Sequence, residues 1–166
     1  MGYPMAQNIL NAGFNLTAFN RTNKKAQGLS KNGAEVVNSI KEAVEKSEII
    51  ITMLSDDDAV LSVISNKDFL ENIKKNSIVI DMSSTKPITS KKINEILKKK
   101  EIYFLDAPVS GGTLGAKNGN LAIMVGGEKE VFNKAKNILN AMGNPTLVGP
   151  IGCGQIAKLA NQIIVG

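Results

Sequence analysis

Apolar residues recur along the chain with two spacings, and together they predict strands that alternate with helices. Near-continuous apolar runs at residues 48–53 and 77–81 are typical of strands buried on both faces of a sheet. Residues 87–99 have helical spacing, and the side chains expected to face inward are Ile88, Ile93, Ile96 and Leu97. Further strands are predicted at 15–20, 34–37, 102–105, 121–125 and 146–148, and further helices at 5–12, 21–33, 39–46 (capped by Ser39), 56–64, 128–142 and from 152 onward.

Strands that alternate with helices of this length indicate right-handed crossovers and a parallel sheet covered on both faces. The predicted fold is therefore a doubly wound α/β domain. Ligands of such sheets bind beyond the carboxyl ends of the strands. Polar segments that directly follow predicted strands lie at residues 20–22, 53–55, 81–84 and 106–112, and we expect the functional residues there.

Composition narrows the possible functions. With 43% hydrophobic and 21% charged residues, the chain of 166 residues is typical of a soluble globular domain. It has neither a membrane-spanning apolar run nor a signal peptide, so we expect a cytoplasmic protein with no membrane partner. Cys153 is the only cysteine, which excludes an internal disulfide. Histidine is absent, which excludes a histidine base and histidine metal sites, and no metal is expected.

The net charge of +5 does not indicate a nucleic-acid-binding protein. Such proteins concentrate their cations in one stripe with aromatic residues between them. Here the lysines are scattered and aromatic residues make up only 4% of the chain. Solvated helix faces account for most of this charge, and attraction of an anionic cofactor or substrate is a secondary interpretation.

One charged residue, Lys158, stands in the apolar C-terminal helix, with Asn161 and Gln162 three and four residues further on. Residues at these spacings share a helix face, so an ammonium and an amide can bind one small oxygenated molecule. Upstream, Ser110, Gly111 and Gly112 supply a hydroxyl and free backbone N–H groups. The two segments together predict one active site. The residues alone leave open a surface lysine that extends into solvent and a plain tight turn at the glycines.

Six stretches, in order along the whole chain, resemble the β-hydroxyacid dehydrogenases. This family includes 3-hydroxyisobutyrate dehydrogenase, tartronate semialdehyde reductase and the glyoxylate/succinic semialdehyde reductases, and it is related to 6-phosphogluconate dehydrogenase. The matching stretches are residues 1–8 (MGYPMAQN), 51–54 (ITML), 80–84 (IDMSS), 106–112 (DAPVSGG), 124–127 (MVGG) and 152–161 (GCGQIAKLAN).

The resemblance implies a Rossmann-type NAD(P)-binding domain over residues 1–150 and the start of an interdomain helix over residues 151–166. The family's first strand and Gly-x-Gly-x-x-Gly loop would then be represented only by Gly2. An all-helical second domain would follow Gly166, with homo-oligomeric contacts in the full-length enzyme. We therefore expect little activity from residues 1–166 alone.

The resemblance also implies roles for the site residues. Lys158 would be the general acid in reduction and the base in oxidation, and residues 110–112 would bind the substrate carboxylate. Many members of the family carry asparagine four residues after this lysine, where this chain has Gln162. Asparagine at the third position followed by glutamine is similar to the tartronate semialdehyde reductase branch. Asn161 is therefore the expected substrate contact, and the role of Gln162 is in doubt.

For the cofactor, Met1 and Gly2 would open a helix whose N-terminus meets the pyrophosphate. The segment Asn20-Arg21-Thr22 follows a predicted strand where an NAD enzyme presents an acidic residue, and none is present. Arg21 can pair with a 2′-phosphate, so NADP is predicted over NAD, although a solvent-exposed arginine would look the same. The residues expected to line the nicotinamide-ribose side are Met53, Leu54 and Ser84.

The expected function is hydride transfer between NADP(H) and a small 3-hydroxyacid or aldehyde acid, of the tartronate semialdehyde or 3-hydroxyisobutyrate type. Two alternatives are a non-catalytic nucleotide-binding fragment and a glyoxylate/succinic semialdehyde reductase. A decarboxylating 6-phosphogluconate-type enzyme is disfavoured, because its usual histidine near the catalytic lysine is absent.

Overall fold

The computed structural model describes residues 1–165, with the side chains of all but Asn23 and Val165. The strands are β1 (Thr17–Ala18), β2 (Glu35–Val36), β3 (Ile49–Thr52), β4 (Ile78–Asp81), β5 (Tyr103–Asp106), β6 (Val109–Ser110), β7 (Leu121–Gly126) and β8 (Gly143–Gly149). The α-helices are α1 (Gly2–Asn11), α2 (Gln27–Ser30), α3 (Ile40–Glu45), α4 (Asp57–Ile64), α5 (Lys67–Asn72), α6 (Pro87–Lys98), α7 (Gly112–Asn118), α8 (Lys129–Asn140) and α9 (Cys153–Val165), and a 3₁₀ turn spans Asn23–Lys25.

The main sheet is mostly parallel, as the sequence predicts. Strands β3, β4 and β5 pair in parallel in that order, and β8 pairs in parallel with β7. Strand β7 runs antiparallel to β5 and β6, which share one of its edges. Strands β1 and β2 form a separate parallel pair.

Strand β3 departs from the prediction of a strand buried on both faces. Residues 49–51 are only half-buried, whereas every residue of β4 is buried. The cause is position in the sheet, because among the described residues β3 pairs with β4 alone and so lies at the edge of the main sheet. An apolar run in the sequence shows hydrophobicity but not whether a neighbouring strand covers it.

Two hydrophobic cores lie on opposite faces of the main sheet. One joins the sheet to α1, α7 and α8, and it includes Met5, Ile80, Leu105, Ala116, Val131 and Leu139. The other joins the sheet to α3, α4, α5 and α6, and it includes Val44, Val60, Phe69, Val79, Ile93 and Phe104. The alternation of Val79 with Ile80 and of Phe104 with Leu105 follows from the two-residue period of a strand.

Several helices begin where the sequence contains a cap. Ser39 accepts a hydrogen bond from the Glu42 N–H at 3.2 Å, which confirms the predicted start of α3. Pro87 occupies the first turn of α6, where its missing N–H costs nothing. The prediction that Ile88 faces inward is wrong, since this side chain is 67% exposed. The buried stripe of α6 contains Thr89, Ser90, Ile93 and Leu97, and Ile96 is half-buried.

Three short elements were not predicted from the sequence, namely α5, β6 and α7. Segment 106–120, to which the sequence assigns no helix or strand, contains a two-residue strand and a seven-residue helix. Within residues 1–165, no helix has the length and apolarity required to span a bilayer.

Candidate active site

A buried carboxylate fixes the start of α9 against the strand ends. Asp106, the last residue of β5, is fully buried and accepts hydrogen bonds from the Gly152 N–H at 2.7 Å and the Gln155 N–H at 3.0 Å. These are N–H groups of the first turn of α9, which lack partners within the helix, and a carboxylate there also interacts favourably with the helix dipole. Asp106 thus places α9 at the carboxyl end of the sheet.

Close backbone approach at this junction requires glycine. A Cβ added to Gly154 would lie 2.5 Å from the Met124 carbonyl oxygen and 2.6 Å from that of Asp106. Both distances are far below van der Waals contact, so α9 can reach the strand ends only with Gly154 at this position. The Gly-Cys-Gly sequence at residues 152–154 therefore has a packing role as well as a helix-start role.

A second buried carboxyl lies beside Asp106. Asp81 ends β4 in register with Asp106, and its Oδ1 accepts bonds from the Thr52 hydroxyl at 2.8 Å and the Ser83 N–H at 3.2 Å. Its Oδ2 has no hydrogen-bond partner among the residues that the structure describes. Burial raises the pKa of Asp81, and it raises the pKa of Asp106 to about 6 against the opposing effect of the two N–H bonds.

The segment that follows β4 is held to its neighbours by several bonds. Besides its bond to Asp81, Ser83 accepts a hydrogen bond on Oγ from the Leu54 N–H at 2.9 Å. The Lys86 N–H donates to Asp57 Oδ1 at 3.0 Å, and the Thr89 hydroxyl also donates to this oxygen. Burial raises the pKa of Asp57, but these hydrogen bonds outweigh it and the net pKa is lowered.

Gln155 connects α9 to the same segment. Its side chain is 1% exposed, donates from Nε2 to the Ser83 carbonyl at 2.8 Å and accepts on Oε1 from the Thr85 N–H at 3.1 Å. Sequence reasoning gave no individual role to Gln155, Asp106, Asp81 or Ser83, although the last three lie in the polar segments 81–84 and 106–112. The available signal was a polar residue in the first turn of an otherwise apolar helix, and three polar residues at or just after strand ends.

Lys158 lies one turn after Gln155 and borders a cavity of about 240 Å³. The cavity brings together the predicted residues Lys158, Gln162 and Ser84, together with backbone and side chains that were not predicted. It is lined by Asp57, Ser84, Thr85, Lys86, Gln155, Lys158, Leu159 and Gln162. A cavity with two lysines and several hydrogen-bonding groups can hold a small anionic molecule.

The other predicted half of the site meets α9 directly. The Asn161 Nδ2 group donates a hydrogen bond to the Ser110 hydroxyl at 3.1 Å, across 51 residues of sequence. Gly111 and Gly112 follow with φ values of 131° and 60°, which residues with a Cβ rarely adopt, and α7 begins there. The predicted proximity of the two segments is therefore observed, although neither Ser110 nor Asn161 lines the cavity beside Lys158.

Apart from Ser84, the predicted cofactor residues lie at the start of α1 and in the segments that follow β1 and β3. Met1 and Gly2 form the start of α1, and a Cβ on Gly2 would lie 3.7 Å from Met53 Cβ. Leu54 is tied to Ser83 by the bond already described. Asn20 follows β1 and donates to the Thr22 carbonyl at 2.8 Å, and Arg21 is exposed. None of these lines the cavity beside Lys158.

These positions fit a dinucleotide. The ten-residue helix α1 has no acidic residue in its first turn, so its N–H groups and dipole favour a phosphate. Residues 19–25 contain three cations and no acid. Within the described part of the chain, no three metal-ligating side chains come together as a metal site.

Comparison with known proteins identifies the family. The family model for the NAD binding domain of 6-phosphogluconate dehydrogenase matches residues 1–155. The chain belongs to this family. The predicted family and doubly wound, Rossmann-type fold are thereby confirmed, whereas the predicted domain boundary at residue 150 and the site roles stay predictions.

Three relatives of this NAD-binding domain are proteins longer than this chain. An uncharacterized oxidoreductase of Bacillus subtilis, YkwC, is 42% identical over 99% of this chain and 58% of its own length. An NAD-dependent L-serine dehydrogenase of Pseudomonas aeruginosa is 38% identical, over 98% of this chain and 55% of the relative. The structure of Mycobacterium tuberculosis 3-hydroxyisobutyrate dehydrogenase with L-serine superposes with a TM-score of 0.95 and 31% identity, over 99% of this chain and 56% of that one. This chain thus spans somewhat more than half the length of these relatives.

Proposed function

We propose that this NAD-binding domain belongs to an NADP-dependent β-hydroxyacid dehydrogenase, which interconverts a small 3-hydroxyacid and the corresponding aldehyde acid. The observation that carries the proposal is the hydrogen bond between Asn161 and Ser110. The bond joins the two segments predicted to bind substrate, and one of them, α9, also carries Lys158.

Lys158 is the proposed acid and base. A bound nicotinamide supplies or accepts the hydride at the reacting carbon. In reduction the oxygen on that carbon gains negative charge, and the Lys158 ammonium donates a proton to it. In oxidation the neutral amine removes the hydroxyl proton. The half-buried position of Lys158 at the edge of the cavity brings its Nζ within reach of a small molecule there.

The substrate carboxylate is the proposed ligand of residues 110–112. The Ser110 hydroxyl accepts from Asn161 and so keeps its own proton available for a carboxylate oxygen. Successive backbone N–H groups at Gly111 and Gly112 add further donors to the same anion. This arrangement orients the substrate with its carboxylate near β6 and its hydroxyl near α9. Gln162, which lines the cavity, would contact the rest of the substrate.

The cofactor preference is part of the proposal. Exposed Arg21, with Lys24 and Lys25 close behind it in sequence, can pair with a 2′-phosphate, and residues 19–25 offer no carboxylate to the ribose hydroxyls of NAD. Met1, Gly2, Asn20, Thr22, Met53, Leu54 and Ser84 are the other proposed cofactor contacts. Because the serine dehydrogenase relative uses NAD, both cofactors require testing.

L-serine is a second candidate substrate. One relative is an L-serine dehydrogenase, and another was crystallised with L-serine. L-serine is itself a 3-hydroxyacid, so the same Lys158 chemistry applies. The candidates differ in the group on carbon 2, which residues 110–112 do not contact in this proposal. A glyoxylate or succinic semialdehyde reductase remains an alternative, as does a non-catalytic nucleotide-binding protein.

The test is a panel of oxidations of 3-hydroxyisobutyrate, glycerate and L-serine and of reductions of tartronate semialdehyde, glyoxylate and succinic semialdehyde, each with NADP(H) and with NAD(H). It uses the natural protein that contains this chain, because residues 1–166 alone are predicted to turn over little substrate. Activity is expected with at least one 3-hydroxyacid of this panel and higher with NADP(H). Cofactor binding without turnover of any acid would contradict the proposal and favour the non-catalytic alternative.

A further inference from the structure

The buried side chain of Gln155 links the two walls of the cavity at Lys158. One wall is α9, which carries Lys158 and Gln162, and the other is the segment 83–86, which carries Ser84. Gln155 is on the first wall and makes both of its side-chain hydrogen bonds to the backbone of the second. Its amide oxygen accepts one bond and its NH2 group donates one, both within a single segment.

The hydrogen bonds between Gln155 and segment 83–86 are buried, so their loss would change how the two walls of the cavity are held. Gln155 is 1% exposed, so water cannot replace a lost bond to the Ser83 carbonyl or the Thr85 N–H. Its backbone N–H is also fixed, by the bond to Asp106 Oδ2 at 3.0 Å. A single residue thus ties the ends of β4 and β5 to the first turn of α9.

Lys158 is three residues after Gln155 on α9, so the restraint on Gln155 also acts on Lys158. Residues three apart on a helix lie on neighbouring positions of one face, so the direction of Gln155 sets the direction of Lys158. On the other wall, the bonds of Gln155 to the Ser83 carbonyl and the Thr85 N–H hold the segment on both sides of Ser84, which is exposed. Gln155 therefore controls the distance between Lys158 and Ser84.

We propose that Gln155 is a positioning residue for the dehydrogenase reaction, which holds Lys158 on α9 at its working distance from the cofactor-binding segment 83–86. This inference rests on the proposed function. Gln155 does not touch the reacting atoms; it acts through Lys158 on one side and Ser84 on the other. Its replacement should then affect proton transfer more than cofactor binding.

The substitution Gln155→Glu tests this positioning role, because it replaces only the NH2 group of the side-chain amide by a carboxyl oxygen. The protonated carboxyl reproduces both bonds, because its carbonyl accepts from Thr85 and its hydroxyl donates to Ser83. The ionised carboxyl points a negative oxygen at the Ser83 carbonyl and breaks the link. Burial and the Asp106, Asp81 and Asp57 carboxyls disfavour the ionised form, while Lys158 and Lys86 across the cavity favour it.

Activity of Gln155→Glu, relative to wild type at each pH, should rise as the pH falls. At about pH 8 we expect kcat to be about 10- to 100-fold lower than wild type, as a misplaced catalytic group predicts, with the cofactor KM nearly unchanged. Toward about pH 5 the ratio should return toward one as the introduced carboxyl gains its proton. Gln155→Met has a similar shape and no titratable group, so its loss should not depend on pH.

Asn133→Asp is the matched control, because it makes the same amide-to-acid change on an exposed position of α8. Its activity ratio should stay near one throughout. A loss in Gln155→Glu that is the same at every pH, or one that raises KM for the cofactor as much as it lowers kcat, would overturn the positioning role. So would full activity at about pH 8.

Hydrogen exchange separates failure of this inference from failure of the proposed function. The Thr85 amide has its described bond only to Gln155, so its exchange in Gln155→Glu, corrected for the intrinsic effect of pH, should become faster as the carboxyl ionises. The rate at which Lys158 reacts with a small acylating reagent, relative to exposed Lys136, should change in parallel. If wild type turns over no hydroxyacid, the proposed function fails; if these two rates match wild type, the linking role of Gln155 fails.

Discussion

Asp106 makes the stability of this domain depend on pH in a direction opposite to that of most surface carboxylates. Its carboxyl is fully buried, and burial raises its pKa from an ordinary value of 3.8 to about 6. A carboxyl with a raised pKa in the folded state binds its proton more tightly there than in the unfolded chain. Its stabilising contribution is therefore present at low pH and is lost as the pH rises through about 6.

The magnitude follows from the two pKa values. Linkage with a folded pKa of about 6 and an unfolded pKa of 3.8 gives about 2 kcal/mol more unfolding free energy from Asp106 at about pH 4.5 than at about pH 7.5. The neutral Asp106→Asn variant lacks this contribution. The amide can accept only one of the bonds from Gly152 and Gln155, so the variant also leaves one buried N–H unpaired.

Urea denaturation of wild type and Asp106→Asn at about pH 4.5 and about pH 7.5 tests the reasoning. The stability advantage of wild type over Asp106→Asn should be about 2 kcal/mol larger at the lower pH. Asp81, whose pKa burial also raises, is present in both proteins and largely cancels. Asp58→Asn, at an exposed position of α4, controls for the change in net charge. An advantage that grows with rising pH would refute the reasoning, because it would mean that the helix N-terminus outweighs burial.

Three further predictions concern the cofactor, the α9 junction and the substrate. Arg21→Ala should weaken NADPH binding by roughly tenfold or more and NADH binding little, because only NADPH has a 2′-phosphate; equal losses in titrations of both would refute the NADP preference. Gly154→Ala should lower the free energy of unfolding by about 1–3 kcal/mol, because the added Cβ overlaps the carbonyls of Met124 and Asp106, and an unchanged denaturation midpoint would contradict this. Asn161→Ala should raise the KM for the hydroxyacid about tenfold through loss of the Ser110 contact, and an unchanged KM in steady-state assays would remove Asn161 from the site.

The sequence predicts elements well where local chemistry determines them. Helix α6 has proline in its first turn and apolar residues at helical spacing, and the predicted range 87–99 differs from the observed Pro87–Lys98 by one residue. Strand β4 is apolar and buried as predicted, and α9 begins directly after Gly152. In these segments periodicity, capping and turn residues all favour the same structure.

Elements that depend on distant residues were not predictable in this way. Strand β6 has only two residues, and it is a strand because Ser110 pairs with Ala122 on β7. Helix α5 is six residues long and has Asn66 as its cap, a signal too short to distinguish from a turn. The exposure of Ile88 depends on how α6 is rotated against the sheet, which spacing alone does not determine.

The residues of the candidate site likewise divide into those that the sequence predicts and those that depend on distant contacts. Lys158, Asn161 and Ser110 were predicted, since a lone lysine in an apolar helix and a polar turn after a strand are visible in the sequence. The residues that hold these groups in place were not. Asp106 reaches Gly152 across 46 residues and Gln155 reaches Ser83 across 72, so their hydrogen bonds exist only in the folded chain. The roles of the predicted residues stay predictions until they are measured.

The rate of hydride transfer in the Lys158→Gln variant tests most directly the central claim that Lys158 is the acid. Single-turnover reduction is followed by loss of NADPH absorbance in the natural protein that contains this chain, with NADPH affinity measured separately, and exposed Lys136→Gln on α8 is the control. We expect the single-turnover rate of Lys158→Gln to be about 10²- to 10⁴-fold below that of wild type, with NADPH affinity retained and the control unaffected. A Lys158→Gln rate close to that of wild type would contradict the assignment of Lys158 as the acid.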